Sequence, residues 1–73
     1  MRGYVPVIRL VVNGESREVE KDTTVATLLA ELGTPPERAA IELNLQILDK
    51  QDYTRTVLKD GDRLEIISFV GGG

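Results

Sequence analysis

Apolar and polar positions alternate with a period of two over residues 7 to 12. Ile8, Leu10 and Val12 fall on one face, and Val7, Arg9 and Val11 on the other. The run predicts a β-strand. Asn13-Gly14 closes it, a pair that tolerates positive φ at both positions and so predicts a two-residue hairpin turn. The chain returns over Glu15 to Glu20 as a more polar strand with Val19 as its apolar anchor. Beyond the connector Lys21-Asp22-Thr23 the period changes. Val25, Leu28, Leu29 and Leu32 recur at i, i+3, i+4 and i+7, a single helical stripe. Thr24 is suited to cap that helix, Gly33 to follow its last turn, and Pro35-Pro36 to prevent its continuation. A helix of little more than two turns is not stable alone, so its leucines are expected to lie on the sheet as core.

Pro35 to Arg38 predicts a loop or short turn. Ala39 to Leu43 is a third strand, with Ala39, Ile41 and Leu43 on one face and Ala40 and Glu42 on the other. Asn44-Leu45-Gln46 reads as a tight bend and Ile47-Leu48 as a brief strand. Asp49 to Tyr53 suggests one helical turn, with Tyr53 as a semi-buried wedge rather than a catalytic phenol. After the turn Lys59-Asp60-Gly61-Asp62, the last strand is expected over Arg63 to Val70. Leu64 and Ile66 point one way; Arg63, Glu65, Ile67 and Phe69 point the other. The alternation decays at the end, where Ile67, Phe69 and Val70 are all apolar. One helix covers one face, so part of Ile67 and Phe69 is expected to stay exposed as a docking patch. With the last strand parallel to the first, the order β-β-α-β-(β)-β predicts an α+β roll, a mixed sheet packed on one main helix.

Composition narrows the chemistry. The 73 residues allow one domain, with room for a core but for no deep substrate cavity. The formal charge of −3 argues against nucleic acid as a partner. There is no apolar stretch near the ~20 residues a membrane span needs and no signal-like segment, so the expected location is cytoplasmic with no membrane partner. The chain has no cysteine and no histidine. Disulfides, thiol nucleophiles, haem ligation and His/Cys metal sites are thereby excluded, leaving carboxylates, Lys, Tyr, Ser/Thr or a chain end as reactive groups. Asp60 and Asp62 flank a glycine and read as turn residues; Asp49 and Asp52 read as a cap or as solvated. No phosphate loop is present, since no helix follows Gly71, Gly72 and Gly73. Enzyme activity is not expected of this chain. The closing glycines themselves admit two readings, a frayed end or a slender, flexible arm that carries a carboxylate into a narrow channel of a partner.

Several stretches resemble the thiamine-biosynthesis sulfur carriers, the ThiS family of ubiquitin-like β-grasp proteins. They are Val12-Asn13-Gly14-Glu15, Thr24-Val25 with Leu28-Leu29, and Ala40-Ile41-Glu42-Leu43-Asn44. The most specific is the closing run from Val57-Leu58-Lys59-Asp60-Gly61-Asp62 through Phe69-Val70-Gly71-Gly72-Gly73. The resemblance covers roughly residues 8 to 73. It implies a short N-terminal extension at 1–7, a β-grasp domain at 8–70 and a flexible glycine tail at 71–73. Leu45 departs from the family, which more often has Gly or Arg there, and Asp49 stands where Pro is common.

By this resemblance, the Gly73 carboxylate is adenylated by an E1-like adenylyltransferase using ATP and Mg²⁺. A sulfur donor, a cysteine desulfurase or a rhodanese-type persulfide, converts it to a thiocarboxylate, and thiazole synthase receives the sulfur. The chain itself binds no cofactor or metal. Gly71 and Gly72 form the tail, Ile67, Phe69 and Val70 guide it, and Arg63 and Glu65 add rim contacts or are simply solvated. Related alternatives are a carrier for molybdopterin synthesis or tRNA thiolation, and a ubiquitin-like protein modifier. A plain binding module with an inert tail is the further possibility.

Overall fold

Strands β1 (Val7–Val12) and β2 (Glu15–Glu20) form the expected antiparallel hairpin, with Val12 opposite Glu15 and Val7 opposite Glu20. Asn13 and Gly14 both adopt positive φ, 50° and 83°, the twist that a two-residue hairpin turn requires. The computed structural model describes residues 4–69 of the chain. Helix α1 (Val25–Glu31) starts where the Thr24 hydroxyl accepts a hydrogen bond from the Thr27 N–H at 3.2 Å. It stops one residue earlier than its apolar stripe, with Leu32 as the cap. Gly33 follows at φ 73°; its N–H donates to the Ala30 carbonyl at 3.1 Å, and that of Thr34 donates to Leu29 at 2.9 Å. These two bonds satisfy carbonyls that the helix end would otherwise leave open.

Val25, Leu28 and Leu29 are fully buried and join Leu10, Ile41 and Leu64 of the sheet in one core. Each such side chain contributes about 1.5–3 kcal/mol by leaving water, which is what holds so short a helix in place.

A 3₁₀ turn at Pro36–Arg38 leads into β3 (Ala39–Leu43), which reverses into β4 (Gln46–Leu48). A second 3₁₀ turn at Lys50–Asp52 precedes β5 (Arg63–Ser68). The strands lie in the order β2-β1-β5-β3-β4. The central pair β1/β5 is parallel and the other neighbours are antiparallel. This is the mixed sheet on one helix that the pattern predicts.

The sheet begins where the pattern predicts and ends earlier than expected. β1 includes Val7, and the Lys21 N–H donates to the Pro6 carbonyl at 3.0 Å, so sheet bonding starts ahead of residue 8. β5 ends at Ser68 rather than Val70. Phe69 still donates its N–H to the Arg38 carbonyl at 2.7 Å, and Val70 lies outside the described residues.

Tyr53 corrects a second expectation. It is 2% exposed, not semi-buried, because its hydroxyl donates to the Ala39 carbonyl at 3.0 Å and the whole ring can then leave water. Burial raises the phenol pKa above 10.0; the nearby Asp49 carboxylate adds to the rise, and the Ile41 backbone opposes it. Folding therefore holds the proton more tightly than the unfolded chain does. The resulting stabilisation is whole below pH 10.0 and is lost as the pH climbs through the folded value. Tyr53→Phe should cost about 1 kcal/mol at neutral pH. Urea melts of the two proteins should converge above pH 10.0, and a constant gap would refute this account.

The β3–β4 turn carries strain. Asn44 and Leu45 have φ of 52° and 71°, and Leu45 is 90% exposed, so no packing offsets its left-handed backbone. Relief of ~1–2 kcal/mol against an entropy cost of ~0.5–1 kcal/mol makes Leu45→Gly stabilising by roughly 0.5–1 kcal/mol. A urea midpoint that stays put or falls would count against it.

Candidate functional site: the exposed end of the last strand

β5 is the strand that leads to the glycines, and both of its edges are held. On one side it pairs with β3 from Leu43↔Leu64 to Ala39↔Ser68. On the other, β1 reaches only Val11↔Arg63 and Val12↔Leu64. The preceding turn fixes where β5 begins. Asp60 accepts from the Arg9 N–H at 2.8 Å, and Asp62 accepts from the Lys59 N–H at 2.8 Å and from the Asn44 side-chain amide at 3.0 Å. The Gly61 N–H donates to the Arg9 carbonyl at 2.8 Å. Both aspartates are thus structural, as the turn reading holds, and neither is poised for acid–base work. Asn44 also accepts from the Arg63 N–H at 3.0 Å, tying the β3–β4 turn to the first residue of β5.

Along β5, Leu64 and Ile66 face the helix, with Leu64 buried and Ile66 packed against the core. Arg63, Glu65 and Ile67 lie on the opposite face, all exposed. Ile67 is 58% exposed and Phe69 54%. The sheet adds to this apolar surface a residue that the sequence does not single out. Ala40 sits opposite Ile67, and Glu42 sits opposite both Glu65 and Ile47. Ile47, 81% exposed, thereby joins Ile67 and Ala40 around a shallow hollow of about 120 Å³. Its membership depends on cross-strand register, which a three-residue strand does not reveal by pattern. A larger open groove, about 410 Å³, lies on the helix side between the β1–β2 turn, the end of α1 and Ser68.

Val70, Gly71, Gly72 and Gly73, the other candidate residues, lie outside the described residues. Among the described residues, no group of three acidic side chains is placed to hold a metal ion. Every buried polar side-chain atom among them has a hydrogen-bond partner. No helix among them is long and apolar enough to cross a membrane. What the arrangement offers is an apolar, water-exposed strand end with a firmly fixed backbone, suited to contact rather than to side-chain catalysis.

Residues 10–73 match the model of the ThiS family. A thiazole synthase of Paramagnetospirillum magneticum is 46% identical over 66 residues, which are 90% of this chain and 20% of that protein. The sulfur carrier protein ThiS of Bacillus subtilis is 38% identical over 65 residues, 88% of this chain and 98% of that one. The crystal structure of the thiamine biosynthesis protein ThiS from Geobacter metallireducens superposes with a TM-score of 0.76 at 35% identity, covering 90% of this chain and 100% of that chain. The chain thus spans about one fifth of the thiazole synthases it matches, and nearly the full length of the small carrier.

Proposed function

The chain belongs to the ThiS family, and from that membership we propose that it carries sulfur for the biosynthesis of the thiamine thiazole. It acts as a protein co-substrate, with the Gly73 carboxylate as its working group. The observation that carries this reading is the exposure of Ile67 and Phe69 directly ahead of the glycines, in a chain without cysteine or histidine. Such a chain has no side-chain thiol to hold sulfur, and its apolar strand end can seat a partner beside the tail.

A free carboxylate is a poor electrophile, so activation must come first. One carboxylate oxygen attacks the α-phosphorus of ATP, with Mg²⁺ and an E1-like adenylyltransferase, and pyrophosphate leaves. The outer sulfur of a donor persulfide then attacks the acyl carbon, AMP leaves, and an acyl disulfide joins donor and carrier. A second thiol, supplied by the partner proteins because this chain has no cysteine, attacks the donor's sulfur. The S–S bond breaks, a disulfide forms on the partner side, and the thiocarboxylate is released. Gly71 and Gly72 have no side chains to obstruct a narrow channel. Ile67, Phe69 and Val70 form the guiding surface, with Ile47 extending it, and Arg63 and Glu65 form its polar rim. Thiazole synthase is the proposed acceptor, supported by the relatives of that name that contain a stretch like this chain. The cytoplasm, where ATP is available, is the proposed location.

The test is intact-mass analysis after incubation with ATP, Mg²⁺, an activating enzyme and a sulfur source. An oxygen-to-sulfur mass increase confined to Gly73 supports the proposal. Absence of both adenylate and thiocarboxylate with every E1-like activator tried would sink it.

A further inference from the structure

We propose that Asn13 is a positioning residue for the tail, acting through β5, whose exit from the sheet it fixes. This role rests on the sulfur-carrier reading above.

β1 and β5 share only two paired positions before β1 turns away, and the Asn13 N–H donates to the Leu64 carbonyl at 2.9 Å as β1 leaves. The next groups on that edge of β5 are the N–H and carbonyl of Ile66, and the Asn13 side chain meets both. Its Oδ1 accepts from the Ile66 N–H at 2.7 Å, and its Nδ2 donates to the Ile66 carbonyl at 3.2 Å. An amide side chain presents one acceptor and two donors in a plane, so it can stand in for a peptide rung of the sheet. The turn by itself does not require this. Glycine or aspartate would satisfy the positive φ as well as asparagine does. The two-bond fork is what distinguishes asparagine at this position.

On the far edge, β3 holds β5 as far as Ser68, and the Arg38 carbonyl takes the Phe69 N–H. Asn13 therefore extends two-edged support from Leu64 to Ile66, two residues closer to the end of the sequence. Beyond Ile66 only the β3 side holds the strand, as far as the Phe69 N–H, so the Asn13 fork is the last two-edged support among the described residues of β5. Loosening that backbone makes a partner order more of the chain at capture, which weakens productive binding but leaves the chemistry of the captured tail unchanged.

Asn13→Gly keeps a turn-compatible residue and deletes the fork. Asn13→Asp keeps an acceptor for the Ile66 N–H but sets a carboxylate oxygen against the Ile66 carbonyl, and it carries the test where Asn13→Gly fails to fold. Val19→Ala serves as the control, a core truncation opposite Ile8 at the other end of the hairpin. Steady-state adenylation of the full chain with ATP, Mg²⁺ and a purified E1-like adenylyltransferase is measured together with amide hydrogen exchange at Ile66. Both Asn13 variants should raise the KM for the carrier about 5- to 10-fold, hold kcat within about two-fold, and speed exchange at Ile66. Val19→Ala should leave KM unchanged. A wild-type KM in both Asn13 variants overturns the positioning role alone and leaves the carrier reading standing. An equal rise in Val19→Ala also overturns it, assigning the effect to general stability. A wild-type chain that no activator adenylates removes the carrier reading and this role together.

Discussion

One alanine added after Gly73 should abolish thiocarboxylate formation while leaving the urea unfolding transition in place. The Gly73 acyl group would then sit in an amide, without an oxygen free to attack ATP. The new carboxylate would lie about 3.3–3.6 Å further along an extended chain and beside a methyl group that the glycines lack. Displacement of a reacting group by even ~1 Å can cost about 100-fold, and in the proposed reading the added Cβ would obstruct the partner's narrow channel. The core that determines stability, from Leu10 to Leu64, contains none of these atoms. Intact mass reports the chemistry and a urea melt reports the fold. A sulfur-shifted mass on the extended, untrimmed chain would show that the terminal carboxylate of Gly73 is not the working group.

The double substitution Ile67→Ala with Phe69→Ala should lower kcat/KM for adenylation by about 10- to 100-fold, equivalent to ~1.4–2.7 kcal/mol of lost contact. Both side chains are more than half exposed in the free chain, so truncating them removes little packing and should leave the domain folded. The loss should fall chiefly on KM, because the patch binds alike before and during the reaction. Wild-type kinetics in the double variant would return these residues to ordinary strand surface. Ile47→Ala provides a graded comparison, since it borders the same hollow but lies two strands from the tail-bearing backbone.

The elements legible in the sequence are those whose causes are local. Asn13-Gly14 specifies its turn through φ alone. Thr24 and Gly33 mark the ends of α1 because capping acts within a few residues, and the Val25-Leu28-Leu29 stripe names the face that is buried. What escaped depends on partners distant in the chain. Tyr53 is buried to its hydroxyl because the Ala39 carbonyl, on β3, accepts its hydrogen bond. β5 stops at Ser68 while Arg38 still holds Phe69, a bond that no pattern within 63–70 encodes. At the site, Ile67 and Phe69 follow from alternation and from one helix covering one face. Ile47 needs the β3–β4 register. Asn13 and Asn44 read as turn residues and nothing more, yet both side chains reach across to the β5 backbone.

The placement of β5 between β1 and β3 also bears on how the molecule is made. Its central pairing joins Val11 to Arg63, contacts that close only after nearly all of the intervening chain is available. Such non-local pairing slows folding relative to helical domains of the same size. It also couples the parts of the molecule, since without β5 the β1–β2 hairpin and the β3–β4 hairpin share no strand and α1 loses Leu64 from its floor. A nascent or nicked chain lacking β5 therefore has no native half to offer a partner. The core and the exposed apolar strand end both require β5 in place, so a partner that recognises this surface would also recognise a completed fold.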